Sequence, residues 1–243
     1  MTDRLPIADT HLAFEKLEGS GLGILFLHGL RSDMNGAKAL ALDTWCRKQG
    51  RALVRFDFRG HGQSGAQFTD CTLSTWIEDA MAVLDTLTAG PQIVVGSSMG
   101  GWVMLHLALR RPDRIEGLVG LAAAPDFTYD LLTGAMTDAQ RQELDRAGII
   151  HCPCDQGDPY PITKALIEDG NRLRVLDKPL GIPCSVRLLQ GMQDRDVPWE
   201  TALRLVQALE SPDVRLILIK DGNHRLSRDQ DIACLLDTVA GLL

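Results

Sequence analysis

The chain has 243 residues with a formal net charge of −7, and 45% of its residues are hydrophobic. The length suits a single domain over residues 1–243, and the negative charge disfavours a nucleic-acid-binding surface. No apolar run approaches the roughly 20 residues that a membrane-spanning helix needs. The first ten residues lack the apolar core of an export signal, so we expect a cytoplasmic protein whose six cysteines are free thiols.

Short apolar runs alternate with helical patterns through the first half of the chain. Residues 11–17 predict a short antiparallel edge strand or hairpin. Continuous apolar runs, which are typical of parallel strands buried on both faces, follow at residues 24–27, 52–56, 93–95 and 118–122. Strand and helix therefore alternate as in an α/β protein with a mostly parallel central sheet and helices on both faces.

Polar residues before two of the helical patterns predict where those helices begin. Asn35 is a candidate cap for the first helix. The second helix is expected to open near Leu73, and Thr75 and Glu78 have the spacing of a capping box there.

The alternation breaks between residues 125 and 181, a stretch too long for a simple crossover. It predicts one helix over residues 137–147 and a second from about 162 to 168 that Gly170 ends. We interpret residues 125–181 as a small helical cap inserted over the sheet edge, where ligands bind in such folds. An ordinary pair of surface helices is the alternative. The sheet then resumes at residues 185–189 and ends at 214–219.

Cys152 and Cys154 lie in the loop between these two helices. Their spacing resembles half of a metal site, but no second pair of ligands follows, so structural zinc is disfavoured.

Gly96, Ser98 and Gly100 form a G-x-S-x-G motif between a strand and a helix. Such a turn is sharp and holds its central residue in strained geometry, while the glycines let strand and helix approach closely. Ser98 is therefore the candidate nucleophile, although a glycine-rich turn of purely structural purpose has the same pattern. A serine hydroxyl needs a base and an orienting acid to react.

Asp194 and His224 each follow a later strand of the predicted sheet. Because parallel strands point their carboxyl ends the same way, both residues can meet Ser98 at one edge. His224 would be the general base and Asp194 would orient it, with Asp196 as the alternative acid. The Met99 and Leu30 backbone N–H groups are the candidate oxyanion donors, because they follow the nucleophile and the first buried strand.

These residues make the chain resemble the α/β-hydrolase superfamily over almost its whole length. The matching motifs are His28-Gly29, Asp57-x-Arg59-Gly60-x-Gly62-x-Ser64, the G-x-S-x-G turn, Gly191-x-x-Asp194-x-x-Val197-Pro198 and Gly222-x-His224. The superfamily places its acid at Asp194, which favours that residue over Asp196.

A narrower resemblance is to the abhydrolase-domain-containing protein 10 family. It is carried by Asp33-Met34-Asn35-Gly36-x-Lys38-Ala39-Leu40-Ala41, Gly96-Ser97-Ser98-Met99-Gly100-Gly101-Trp102, Arg187-Leu188-Leu189-x-Gly191-Met192-x-Asp194, Asp196-Val197-Pro198-Trp199 and His224-Arg225. That family is mitochondrial in animals and hydrolyses S-palmitoylated proteins and acyl glucuronides, whereas this chain lacks a mitochondrial presequence and looks like a bacterial relative. The resemblance implies a small-molecule or acylated-protein ester or thioester as substrate, with no cofactor or metal.

The substrate itself stays open at this stage, because fold and triad do not determine it. Hydrolysis of a peptide, a lactone or a carbon–carbon bond on the same triad is the alternative, and a non-catalytic ligand receptor is a minor one. Neither the acyl-chain length nor the oligomeric state follows from the sequence.

Several residues beside the motifs are candidates for binding the substrate. Trp102, Phe127 and Trp199 are expected to line an apolar groove for an acyl chain, with packing against the protein body as the alternative. Arg31 and Arg225 lie beside the site in sequence and are candidates for reading an anionic part of the substrate.

Overall fold

The computed structural model describes residues 2–152 and 159–243. The strands in these residues are Asp3–Ile7 (β1), Thr10–Leu17 (β2), Gly23–Leu27 (β3), Leu53–Phe56 (β4), Gln92–Ser97 (β5), Ile115–Leu121 (β6), Ile149–Cys152 (β7), Tyr160–Thr163 (β8), Ser185–Gly191 (β9) and Val214–Ile219 (β10). The α-helices are Ala37–Gln49 (α1), Leu73–Leu87 (α2), Met99–Arg110 (α3), Asp138–Ala147 (α4), Lys164–Arg172 (α5), Trp199–Ala208 (α6) and Asp229–Ala240 (α7).

Eight of the strands form one sheet in the order β1-β2-β4-β3-β5-β6-β9-β10. The strands from β4 to β10 in this order pair in parallel, while β1 and β2 form an antiparallel hairpin whose second strand joins β4. The prediction of a mostly parallel α/β sheet is confirmed. Residues 11–17 are expected to form either an edge strand or a hairpin, and the hairpin forms.

The central strands are buried on both faces, as their continuous apolar runs predict. Ile24 and Phe26 of β3 pack in a cluster with α1 and α7, whereas Leu25 and Leu27 pack in a second cluster with α2 and α3. Successive strand residues point to opposite faces, so both layers of helices need apolar partners from every central strand. Within the described residues, none of the helices combines the length and apolar character required to cross a bilayer.

The stretch between β6 and β9 is less purely helical than predicted. The helix expected at residues 137–147 is α4, and its start is capped by Thr137, whose Oγ1 accepts the Gln140 N–H at 3.2 Å. The sequence interpretation missed a π-helical turn at Thr128–Thr133 and the antiparallel pair β7–β8. Cys152 ends β7 and is buried, while Cys154 lies outside the described residues.

The prediction that Gly170 ends the second helix of this stretch is wrong. Helix α5 continues through Gly170 to Arg172. A methyl group on Gly170 would lie 2.5 Å from Thr128 Oγ1, so the glycine allows α5 to pack directly against the π-helical turn. It is a packing glycine rather than a helix terminator.

Two of the predicted helix caps are also wrong. Helix α1 is preceded by Gly36, and the Asn35 side chain instead accepts a hydrogen bond from Arg55 Nη1 at 2.7 Å. Helix α2 begins at Leu73 as expected, but its capping box is formed by Thr72 and Thr75 rather than by Thr75 and Glu78. The buried Arg55 guanidinium binds the Asn35 side chain, which the local sequence pattern predicts as the cap of α1.

His106 joins the body of the protein to the stretch between β6 and β9. Its Nε2–H donates to the Leu173 carbonyl oxygen, with a separation of 3.1 Å. Burial lowers the pKa of His106 to about 4, and the nearby Arg110 charge acts in the same direction. Burial likewise lowers the pKa of His28 and of His61 to about 4.

These three histidines make the fold sensitive to acid. Between about pH 6.5 and 4 the unfolded chain binds protons that the folded chain does not, so stability falls as the pH falls through that window. Asp79 opposes this trend, because burial raises its pKa to about 6 and the folded chain then holds a proton that the unfolded chain has lost.

We predict that His106→Gln reduces the acid sensitivity, because glutamine keeps an N–H donor for Leu173 and cannot titrate. Between pH 7 and pH 5 the variant should lose about 1–2 kcal/mol less unfolding free energy than the wild type. Urea denaturation at both pH values measures this difference. Equal losses in the two proteins would contradict the assignment of a depressed pKa to His106.

Candidate active site

Ser98 lies at the sharp turn between β5 and α3. Its backbone has φ 53° and ψ −117°, a positive-φ conformation that a serine adopts only under strain. Its N–H donates to the Leu121 carbonyl oxygen at 2.9 Å. Its own carbonyl oxygen accepts the N–H groups of Gly101 at 2.9 Å and Ala124 at 3.1 Å. These bonds hold the strained residue at the carboxyl edge of the sheet, where it is half-buried.

The two motif glycines allow this turn to form. A methyl group on Gly96 would lie 2.4 Å from the Gly100 carbonyl oxygen. One on Gly100 would lie 2.2 Å from the Leu27 carbonyl oxygen. Since neither site has room for a Cβ, the first turn of α3 packs backbone to backbone against the ends of β3 and β5.

Ser98, His224 and Asp194 form a continuous hydrogen-bonded chain. His224 Nε2 lies 3.1 Å from Ser98 Oγ, and His224 Nδ1 lies 2.8 Å from Asp194 Oδ2. A carboxylate accepts hydrogen bonds, so Nδ1 carries the proton and Nε2 presents its lone pair to the serine hydroxyl. The carboxyl ends of β5, β9 and β10 thus bring together three residues that are far apart in sequence.

The Asp194 side chain has no exposed surface and is surrounded by donors. Oδ1 accepts the backbone N–H groups of Asp196 and Val197, each at 2.9 Å. Oδ2 accepts the Gln190 Nε2–H at 3.0 Å in addition to His224 Nδ1. Asp194, rather than the alternative Asp196, therefore carries the oxygen that bonds His224, and Asp196 contributes a backbone donor to it.

Asp194, Asp196 and His224 each present one ligand atom within 4.8 Å of the others, which is the spacing of a possible cation site. The donor set does not fit that use. Both Asp194 oxygens already accept N–H bonds, and His224 Nδ1 donates to one of them. The arrangement is that of a carboxylate that orients an imidazole.

His28 organises the loop that follows β3. Its Nε2 accepts the Phe58 N–H at 3.2 Å, so Nδ1 carries the proton and donates to the Gly29 carbonyl oxygen at 2.8 Å. The low pKa of about 4, caused by burial, keeps this ring neutral near pH 7. A methyl group on Gly29 would lie 3.1 Å from Ser98 Cβ, so this loop passes directly beside the serine.

The two candidate oxyanion donors lie on either side of Ser98. Met99 is the first residue of α3 and is fully buried, while half-buried Leu30 follows Gly29 in the loop. Neither backbone N–H has an acceptor within the part of the chain that the structure describes. Both groups are therefore available to an anion, and a helix N-terminus favours negative charge.

Known proteins with the same architecture identify the family. The family model for the alpha/beta hydrolase fold matches residues 24–153. The mouse protein named mitochondrial palmitoyl-protein thioesterase ABHD10 is 37% identical over 235 residues, which are 96% of this chain and 79% of the mouse protein. The solved structure of mouse ABHD10 superposes with a TM-score of 0.93 and 36% identity, covering 100% of this chain and 98% of that one.

The chain belongs to the ABHD10 family of α/β hydrolases. A solved structure of a putative hydrolase from Agrobacterium vitis S4 is equally similar, with a TM-score of 0.95, 38% identity and coverage of 100% and 97% of the two chains. Ferulic-acid-bound Est1E from Butyrivibrio proteoclasticus has a TM-score of 0.83 at 20% identity, a likeness that shows the fold alone. The chain is accordingly an enzyme of the esterase and thioesterase superfamily.

Asp57 is a structural residue of this ABHD10-family site that the sequence interpretation treated only as part of a motif. Its Oδ1 accepts the Met34 N–H at 2.7 Å and its Oδ2 accepts the Gln63 N–H at 2.8 Å. Burial raises the pKa of this carboxyl, and the two backbone donors oppose that rise. The loops after β3 and β4 are thereby tied together.

The residues predicted to bind substrate occupy different depths. The Trp102 ring is fully buried, and Phe127, itself 8% exposed, packs edge-on against it with ring centroids 5.5 Å apart. Trp102 therefore has no exposed surface that could contact a substrate, and its ring supports Phe127. Trp199 is half-buried at the start of α6, and Arg31 is exposed, with its guanidinium carbon 5.2 Å from the Tyr160 ring centroid.

We predict that Asp194→Asn lowers kcat by roughly 10⁴-fold, because an amide favours the wrong tautomer of the imidazole. Asp196→Asn is the matched control. It keeps the backbone N–H to Asp194, and we expect kcat to stay within about a factor of two because the side chain is exposed. Steady-state hydrolysis of an activated ester measures both. Similar losses in the two variants would mean that Asp194 has no distinct role.

Proposed function

We propose that the chain is a serine hydrolase that cleaves carboxylic thioesters or esters through an acyl-enzyme on Ser98. The observation that carries this proposal is the hydrogen-bonded chain from Ser98 Oγ through His224 to Asp194, with separations of 3.1 and 2.8 Å. A serine with a base in reach, and a base with an orienting acid, is the arrangement that activates a hydroxyl.

The acylation step follows from these contacts. Ser98 Oγ attacks the carbonyl carbon while its proton passes to His224 Nε2. Asp194 stabilises the imidazolium that forms. The Leu30 and Met99 N–H groups bind the oxyanion, and the loss of one such donor typically costs about 3–4 kcal/mol of transition-state stabilisation. The tetrahedral intermediate collapses, and the departing alcohol or thiol takes the proton from His224.

Deacylation repeats the sequence with water as the nucleophile. His224 removes a proton from the water, which attacks the Ser98 ester, and the same oxyanion donors act again. The proton returns to Ser98 Oγ, and the acid product leaves. This cycle uses side chains and backbone N–H groups of the chain, the substrate and one water molecule.

We further propose that residues 125–181, of which the structure describes 125–152 and 159–181, form a cap over this site. Ala124 bonds Ser98 directly, so the stretch starts beside the nucleophile. Phe127 then lies over Trp102, and Tyr160 of β8 contacts Arg31, which follows the oxyanion loop. These contacts at the start and in the middle of the stretch support a cap that borders the substrate.

The acyl chain is the part of the substrate that such a cap would enclose. Leu131 and Met136 are partly buried there, and Tyr129 is 46% exposed. Half-buried Trp199 at the start of α6 is a further candidate for the apolar wall, whereas Phe127, at 8% exposed, is almost as buried as Trp102. The name of the mouse relative, palmitoyl-protein thioesterase, supports an acylated protein as one substrate class. The same name includes the word mitochondrial, so the cytoplasmic location expected for this chain stays a prediction.

We predict that kcat/KM rises with acyl-chain length and is higher for thioesters than for matched oxygen esters. A groove that buries methylene groups should contribute about 0.8 kcal/mol for each one that leaves water. Hydrolysis of short, medium and long acyl series measures this trend, with Ser98→Ala as the blank. A preference for short or bulky oxygen esters would instead identify a small-molecule esterase.

A fluorophosphonate probe tests the nucleophile without assuming a substrate. It should label the wild type at Ser98 and leave Ser98→Ala unlabelled. Absence of labelling in a folded sample would contradict the catalytic proposal and favour the ligand-receptor alternative. Labelling without esterase or thioesterase activity would favour a peptide, lactone or carbon–carbon substrate.

Arg31 and Arg225 are proposed to read an anionic group on the substrate. Arg31 follows Leu30, and Arg225 follows His224, so both exposed side chains flank the reacting atoms. We predict that Arg31→Ala lowers kcat/KM for an acyl glucuronide more than for a neutral ester of the same acyl group. Arg215→Ala, at the opposite end of β10, is the control and should affect neither. Equal effects of Arg31→Ala on both substrates would contradict the proposal that Arg31 binds an anionic group of the substrate.

A further inference from the structure

Gln190 is a buried polar residue beside Asp194 that takes no part in the acylation and deacylation steps. It lies near the end of β9, between β6 and β10, and is 1% exposed. Its Nε2 lies 3.0 Å from Asp194 Oδ2 and 3.2 Å from the Val197 carbonyl oxygen. The Gln190 amide therefore contacts both Asp194 and Val197, at the end of the loop that carries Asp194.

The other end of the same amide is unusual. Gln190 Oε1 is buried and has no hydrogen-bond partner within the described residues. An unpaired buried acceptor destabilises a fold, and an apolar side chain would avoid that cost. The N–H groups of the Gln190 amide therefore account for an amide at this position, although its unpaired oxygen lowers the stability of the fold.

We propose that Gln190 is a positioning residue that acts on His224 through Asp194. This inference rests on the proposed function, in which His224 is the base. The Gln190 N–H shares Oδ2 with His224 Nδ1, so it restrains the carboxylate oxygen that bonds the imidazole. It also neutralises part of the carboxylate charge, which limits how strongly Asp194 stabilises the protonated imidazole.

Removal of the Gln190 N–H donor should have two consequences that are not expected if Gln190 only stabilises the fold. The carboxylate charge becomes more available to the imidazole, so His224 stays protonated to a higher pH and the acid limb of the activity profile moves upward. The imidazole is also held less firmly, so kcat falls while KM changes little, because ground-state binding is untouched.

Gln190→Met is the direct test, and Gln92→Met is its matched control. Gln92 is 4% exposed and donates its amide to the Ala89, Gly90 and Pro91 carbonyl oxygens at the amino end of β5, away from the triad. For Gln190→Met we expect kcat to fall roughly 10- to 100-fold, the range that corresponds to the loss of one hydrogen bond to a charged group. The acid limb should rise by about 0.5–1 pH unit. Gln92→Met should leave the acid limb in place.

The readouts are kcat and KM for p-nitrophenyl butyrate and the rate of fluorophosphonate labelling of Ser98, each between about pH 5 and 9. The proton resonance of His224 Nδ1–H should also shift in Gln190→Met, which reports on the hydrogen bond independently of turnover. An unchanged acid limb and an unchanged resonance in a folded Gln190→Met protein would overturn the proposal.

Gln190→Glu provides a second variant of nearly the same shape. It places a second carboxyl 3.0 Å from Asp194, where two carboxyls share one proton, so the protonated carboxyl replaces the lost N–H donor to Oδ2. The acid limb of Gln190→Glu should therefore lie closer to that of the wild type than the acid limb of Gln190→Met does, and a larger upward shift than in Gln190→Met would contradict the inference. Failure of the proposed function is distinguishable, because the wild type itself would then not be labelled at Ser98.

Discussion

The strained backbone of Ser98 is the constraint on which the site depends. A residue in such a conformation costs about 1–3 kcal/mol and persists only when its surroundings hold it there. Leu121, Gly101 and Ala124 supply backbone hydrogen bonds to it, and the glycines at 96 and 100 let α3 press against the ends of β3 and β5. Ser98 is therefore positioned by four elements at once. The strain raises Oγ above the sheet, where His224 approaches it from β10.

The loops around Ser98 are held by buried polar groups that add little net charge to the site. His28 is neutral and links the loop after β3 to Phe58, and Asp57 binds backbone N–H groups from two loops. On the far side, Lys38 of α1 donates to the Arg225 carbonyl oxygen and so ties α1 to the loop that carries His224. Burial lowers the pKa of Lys38 to about 8, with the Arg225 charge acting in the same sense. Rigid loops of this kind preserve donor and acceptor geometry before a substrate arrives.

Local sequence patterns failed where a tertiary contact competes for the same residue. Asn35 has the composition of a helix cap, but the buried Arg55 guanidinium takes its side chain. Gly170 has the composition of a helix stop, but the closeness of Thr128 requires a glycine inside α5. Trp102 is apolar and adjacent to the motif, yet Phe127 covers it. In each case the deciding partner lies 20 or more residues away in sequence, and no pattern within one element reports it.

The sequence by itself determined the parallel sheet, the turn that carries Ser98 and the convergence of Ser98, Asp194 and His224 on one edge. Continuous apolar runs specify strands buried on both faces, glycines at fixed spacing specify the turn, and parallel strands necessarily share an edge. Only the tertiary structure decided which carboxylate reaches His224, how deeply each aromatic ring lies and that Gln190 bonds Asp194. Those outcomes depend on differences of a few tenths of an ångström in the distances between side chains from different strands and loops. Such distances are set by close packing of the whole molecule, which the order of residues along one segment does not contain.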